Sequence, residues 1–120
     1  MRKTKKTNEN LVRLLEDLRA LSYEKKVRIW KDVAARLAKP SQNWAEVNVS
    51  RLARHCQKRD IVLVPGKLLG AGSIDIPVTV AAFHHSESAR NKVERAGGKV
   101  IRIEDLMKAK PDGNKIRIMG

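Results

Sequence analysis

The sequence predicts an α/β protein in which helices come first and strands with interleaved helices follow. Two observations carry that expectation. Apolar residues in the first half recur at helical spacing, while the second half holds short β-branched runs bounded by glycine or proline. At 120 residues the chain has room for one domain. The expected division is a basic arm over 1–7 and a domain over 8–120, helical as far as 59 and strand–helix from 60 onward. No segment repeats at a fixed period.

In the first half Leu11, Leu14, Leu15, Leu18 and Leu21 form one stripe, with Arg13, Glu16, Asp17 and Arg19 off it. Asn8 stands where a helix cap belongs. A second stripe runs through Val27, Trp30, Val33, Ala34 and Leu37 and is stopped by Pro40. Trp30 lies on that stripe, which favours core packing over base stacking. Residues 40–47 show no period and read as a loop. Asn48 or Ser50 then caps a short helix through Val49, Leu52, Ala53 and Cys56. Cys56 falls on its apolar side as a small buried hydrophobe, with Arg51, Arg54, Lys58 and Arg59 outward.

The chemistry changes after Asp60. Residues 61–64 are a continuous apolar run, the pattern of a fully buried strand. Pro65-Gly66 reads as a turn, 67–69 as renewed extension, and Gly70-Ala71-Gly72 as another break. A second strand is expected over 78–83, then a helix over 87–96 capped by Ser86 and stopped by Gly97-Gly98. A third strand follows over 99–103 and a short helix from Glu104. After the Pro111-Asp112-Gly113 turn, 115–118 alternates as an edge strand.

Charge sets the function class. Lys and Arg number 26 against 13 acidic residues, a formal net charge of +13. A soluble domain with a merely solvated surface would balance Lys with Glu. Self-repulsion at this charge calls for a polyanion, and a nucleic acid gains affinity from counterion release at each phosphate contact. With 3% aromatic residues the core is expected to be thin and largely aliphatic, and a base-stacking platform is disfavoured. The single cysteine excludes an internal disulfide and a Cys-rich zinc site and fits a reducing compartment. No stretch has membrane-span length, and no signal peptide is legible.

Candidate sites for other chemistry fail one by one. His84 and His85 are adjacent, so in a strand they face opposite ways and cannot share an ion, and His55 has no paired ligand. Ser86 sits in no nucleophile elbow. Gly70-Ala71-Gly72 begins like a dinucleotide fingerprint, but 73–77 cannot open a helix to receive a pyrophosphate. These glycines serve either a tight turn alone or close approach to an RNA backbone. The acidic residues are scattered, so neither catalysis nor a magnesium cluster is expected. The chain is read as a non-enzyme needing no metal, cofactor or small-molecule substrate.

The basic residues instead fall in four clusters: the arm, 25–31, 51–59 and 90–99. Contacts from several sides suit a protein embedded in folded RNA. The candidate RNA-binding residues are Arg2, Lys3, Lys5 and Lys6 of the arm, and Lys25, Lys26, Arg28, Lys31 and Asn43. Arg51, Arg54, Lys58, Arg59, Gly66, Lys67, Gly70, Gly72, His84, His85, Ser86 and Arg90 complete the set. The arm is either plainly disordered or folds on its target. A chromatin-like DNA-binding protein is the alternative, but no helix carries convincing base-reading residues. An RNA-modifying enzyme would need a catalytic constellation that is missing.

The stretch IVLVPGKLLGAG at 61–72 resembles the ribosomal protein family called L-fifteen in bacteria and L-eighteen-e in archaea and eukaryotes. VTVAAF at 78–83, SESAR at 86–90 and AGGK at 96–99 are similar too. The archaeal and eukaryotic branch is indicated by Thr7-Asn8, IWKDVA at 29–34, LAKP at 37–40, EVNVS at 46–50 and IRIMG at 116–120. The compact length is similar to that of archaeal members. At His84-His85 the chain departs from the family pattern of Ser followed by an aromatic. The resemblance implies a cytoplasmic component of the large ribosomal subunit that binds its main RNA, adjoins other ribosomal proteins and supports translation. It also implies an irregular strand-strand-helix superhelical core with a helical N-terminal extension.

Overall fold

A strand with no polar alternation must be covered on both faces, and the run at 61–64 sits at the centre of the sheet for that reason. The computed structural model describes residues 9–120, so the expected arm and the Asn8 cap lie outside the described residues. Strand β2 spans Ile61–Leu69, with β1 at Ala45–Asn48, β3 at Thr79–His85, β4 at Lys99–Arg102 and β5 at Ile116–Ile118. All pairings are parallel, in the order β1-β2-β3-β4, with β5 also on β2. β1 pairs with Gly66–Leu69 and β5 with Ile61–Leu63. The two short strands therefore lie end to end along one edge of β2.

Helices cover both faces. Val62, Val64, Val80 and Ala82 pack with Val49 and Leu52 of α3 (Val49–His55), with Cys56 just after it, and with Ala89 and Val93 of α4 (Glu87–Arg95). Leu63 and Ala81 pack on the other side with α1 (Glu9–Lys25), α2 (Arg28–Leu37) and α5 (Ile103–Ala109). Parallel neighbours need a crossover that returns the chain. The others contain helices, but the β2–β3 connection over 70–78 has none. Its Ile74 and Ile76 pack onto the α3–α4 core cluster instead. The strand–strand–helix order is thus β2, β3, α4. No helix among the described residues is long and apolar enough to cross a membrane.

Both leucine and tryptophan stripes are where their spacing placed them. Leu14 and Leu18 of α1 are buried, with Leu11, Leu15 and Leu21 at the margin. Trp30 is wholly buried, and its Nε1 donates to the Pro111 carbonyl at 2.8 Å, tying α2 to the turn before β5. Ser86 Oγ accepts from Ala89 N at 3.1 Å as the α4 cap. The core is mainly aliphatic, although Trp30 and Trp44 add two large aromatics to one face.

Four expectations are corrected. Pro65-Gly66 is no turn: both residues lie inside β2, where the register with β3 shifts between Val64 and Lys67. A bulge tolerates the missing proline N–H. Gly66 is buried, and only glycine fits there, because a Cβ would overlap the Ala45 carbonyl oxygen and come within 2.9 Å of Ala45 N. Residues 40–47 are no simple loop, since a 3-10 turn at Ser41–Asn43 leads into β1. Four residues against a single partner are too few to show a period. Neither Asn48 nor Ser50 caps α3 through its side chain: Asn48 occupies the N-cap, but its Oδ1 accepts from Ala71 N at 3.1 Å. The third strand also ends one residue early, at Arg102.

Cys56 is buried as expected, its Sγ 3.7 Å from Met119 Sδ. Burial pushes its thiol above the ordinary 9.0, and Arg117 only partly opposes this. The thiolate is the nucleophile, so a raised value means less reactive species at a given pH. Native Cys56 should react with a thiol reagent about tenfold or more slowly than in denaturant at about pH 8, gaining rate only as pH climbs past a free thiol's value. Alkylation followed by mass spectrometry checks this. Gly66→Ala should cost about 1–3 kcal/mol in chemical denaturation, because its methyl meets backbone that cannot swing aside.

Candidate nucleic-acid interface

Among the described residues no charged or polar side chain is buried. Four ion pairs occur there: Arg36–Asp32, Arg90–Glu94, Arg102–Asp105 and Arg117–Asp60, at 3.2, 3.0, 3.9 and 3.8 Å. All are substantially solvent-exposed, so each contributes little to stability. The other described lysines and arginines make no ion pair with a carboxylate. The cationic excess thus stays on the surface, and three regions concentrate it.

The first lies over the outer edge of the sheet. β5 forms part of that edge, with α2 on one face and α3 on the other. Arg36, Arg51, His55 and Arg117 from these elements line an open depression of about 510 Å³, together with Ile118, Met119 and Gly120. Arg36 Nη1 donates to the main-chain oxygen of Gly120 at 3.4 Å, and Arg117 Nη1 donates to the His55 carbonyl. A second depression of about 150 Å³ shares Arg36 and Gly120 and adds Lys39, Asn43 and Trp44. Arg51 and Asn43 were expected from the sequence, whereas Arg36, Lys39, His55 and Arg117 were not. Arg117 gave one signal, since its alternation in 115–118 points it away from the core. Arg54, Lys58 and Arg59 are exposed in α3 and the turn after it, with Arg59 in the left-handed region at φ 68°.

The second region is the α1–α2 corner. Ser22 Oγ donates to the Val27 carbonyl at 2.7 Å, and Lys26 takes φ 56° to reverse the chain. This brings Lys26, Arg28 and Lys31 around a depression of about 520 Å³ beside Tyr23, which is 87% exposed. Lys25 ends α1 just before it. Spacing could not single out Tyr23, because an exposed aromatic lies on no apolar stripe.

The third region is the carboxyl edge of the parallel sheet. Lys67 lies opposite His84 in the β2–β3 register, and Glu46 lies opposite Lys67 from β1. His84 and His85 are exposed; the His84 ring sits 4.7 Å from Phe83 and 6.5 Å from Trp44, centroid to centroid. The 70–72 loop is held from within the chain. Lys92 Nζ donates to the Gly70 and Gly72 carbonyls, each at 2.6 Å. Gly70 is pressed against Ser88 and Ala89, and Gly72, at φ +87°, against Ser50. Packing between α3 and α4 therefore accounts for both glycines. The 90–99 cluster is partly committed, with Arg90 on Glu94 and Lys92 on the loop. Ser86 spends its hydroxyl on the α4 cap.

Nothing in these regions makes a catalytic constellation. No group of three or more His, Cys, Asp or Glu able to hold a metal occurs among the described residues.

Comparison with known proteins places the chain. The family model described as "Ribosomal protein 60S L18 and 50S L18e" matches residues 1–120. A "Large ribosomal subunit protein eL18" from Methanococcus maripaludis is 45% identical over 119 residues, covering 99% of each chain. The protein of that name from Archaeoglobus fulgidus is 46% identical over 115 residues, covering 96% of this chain and 98% of its own. A third, from Methanothermobacter thermautotrophicus, is 44% identical over 119 residues, covering 99% and 98%. The family is one of ribosomal structural proteins and not of enzymes, which agrees with a surface built of dispersed cations. The chain belongs to the family of ribosomal proteins 60S L18 and 50S L18e.

Proposed function

We propose that the chain is a structural constituent of the large ribosomal subunit in the cytoplasm. It holds large-subunit ribosomal RNA through dispersed Lys and Arg contacts, beside neighbouring ribosomal proteins, and so supports translation. The observation that carries this is the surface excess of cations at the α1–α2 corner, on α2 and α3 and at the strand ends, with few carboxylate partners. A near-neutral exterior would need no anionic scaffold; this one does. The relatives' names point to the same particle.

In this reading residues 1–7 are a basic arm on a single domain over 8–120. The arm cations Arg2, Lys3, Lys5 and Lys6 join the corner set Lys25, Lys26, Arg28 and Lys31. Arg51, Arg54, Lys58 and Arg59 bind along and after α3, and Asn43, Lys67, His84, His85 and Arg90 supply further contacts. The glycine loop and Ser86 act through backbone at the carboxyl edge. Phosphate contacts would position the chain while folded RNA shape selects it.

Gradient co-sedimentation with large subunits is the direct test, and absence from that fraction would overturn the reading. In filter binding, structured ribosomal RNA should outcompete duplex DNA of equal charge. A rise from about 50 to about 200 mM salt should lower affinity by roughly a thousandfold for about six phosphate contacts. Equal preference for DNA would favour a chromatin-like role instead. Charge reversal at Arg51 and Arg54 together should weaken RNA binding at matched salt.

A further inference from the structure

Dispersed contacts do not explain why arginines from α2, α3 and β5, far apart in sequence, converge on one depression. We propose that Arg36, Arg51, His55 and Arg117 form a built site for a phosphodiester group of RNA, tighter than the contacts elsewhere on the surface. This rests on the RNA-binding reading above and deepens it.

Convergence is the first support. The depression of about 510 Å³ is open enough to admit a backbone phosphate, and no carboxylate side chain lines it. Anchoring is the second. Arg36 Nε donates to Asp32 Oδ1 at 3.2 Å and its Nη1 to the main-chain oxygen of Gly120, while Arg117 is held by the His55 carbonyl and by Asp60. A guanidinium carries five N–H donors, so each of these keeps donors to spare. Side chains already fixed lose less freedom when a ligand arrives, and the planar fork matches phosphate oxygens two at a time. Arg51 is exposed and has no ion pair among the described residues.

The floor is the third support. Ile118 and Met119 line the same depression, with Met119 over buried Cys56, and apolar walls lower local screening and strengthen the attraction. The adjoining depression with Lys39 and Asn43 continues from Arg36. A strand leaving the first site therefore meets a further cation and an amide, as successive phosphates and sugars along RNA require. An isolated carboxylate ligand would need no such continuation.

The test uses the full chain and a large-subunit ribosomal RNA fragment at fixed salt. Arg51→Gln should weaken binding about tenfold or more, and Arg117→Lys comparably although it keeps the charge, since lysine lacks the fork. Arg13→Gln with Arg19→Gln on exposed α1 removes more charge and should cost less than about threefold. Circular dichroism and thermal melting establish that each variant folds. A second readout is independent of RNA: inorganic phosphate at millimolar level should shift the His55 ring resonances in the wild type and not in Arg51→Gln.

If the wild type binds RNA but the site and control variants lose equal affinity, the proposal fails and the ribosomal reading stands. If the wild type binds no RNA while phosphate still moves His55 through Arg51, the anion site stands and the RNA reading fails. An acidic peptide that displaces RNA as well as an equally charged oligonucleotide does would overturn the assignment to phosphate.

Discussion

The pairing of β2 with three other strands determines where nearly every charged group comes to lie. β2 is covered by helices on both faces and by strands along both edges, and its apolar run leaves no other option. All of its partners run parallel to it, and the carboxyl ends of β1, β2 and β3 gather on one side. The glycine loop, His84, His85 and the α4 cap meet there. The other consequence concerns the outer edge, where β1 and β5 share the length of β2. Helices from both faces overhang that edge, and their arginines meet above it.

Charge and burial are thereby segregated in an orderly way. Apolar side chains and the neutral Cys56 thiol fill two clusters, one on each side of the sheet, and no described charged side chain is buried with them. The few ion pairs orient particular arginines without neutralising the surface. Arg36 and Arg117 illustrate this, since each is steadied by a carboxylate yet keeps donors free. Edge strands with open backbone groups invite unwanted pairing with other chains. Cations massed over β1 and β5 oppose such pairing while offering the same surface to a polyanion.

Much of the architecture was legible because it rests on local periodicity. The leucine stripe of α1, the Trp30 stripe of α2, the apolar run of β2 and the Ser86 cap depend only on residues near one another in sequence. Strand β1 was not, because its four residues are strands only through Gly66–Leu69, which follow some twenty positions later. Pro65-Gly66 misled for a related reason. The pair commonly makes a turn, but here a bulge uses the proline and β1 fills the space the glycine leaves. The candidate interface divides in the same way. Lys26, Arg28 and Lys31 are near neighbours and could be grouped from sequence. Arg36, His55 and Arg117 become neighbours only once α2, α3 and β5 are placed around the edge. The glycines of 70–72 carried two explanations, and the Lys92 clamp with Ser50 and Ser88 favours the internal one. Family likeness was readable from ordered motifs across most of the length, independently of any periodicity.

The end-to-end placement of β1 and β5 also bears on how the chain is made. β5 comes after every other strand in chain order, yet it covers the first residues of β2. A nascent polypeptide in which 116–118 are still untranslated therefore carries β2 with the first three residues of one border bare. Bare strand borders are sticky. The late three-residue strand acts as a closing stitch, so the shielding of the sheet is completed only once residues 116–118 have been made.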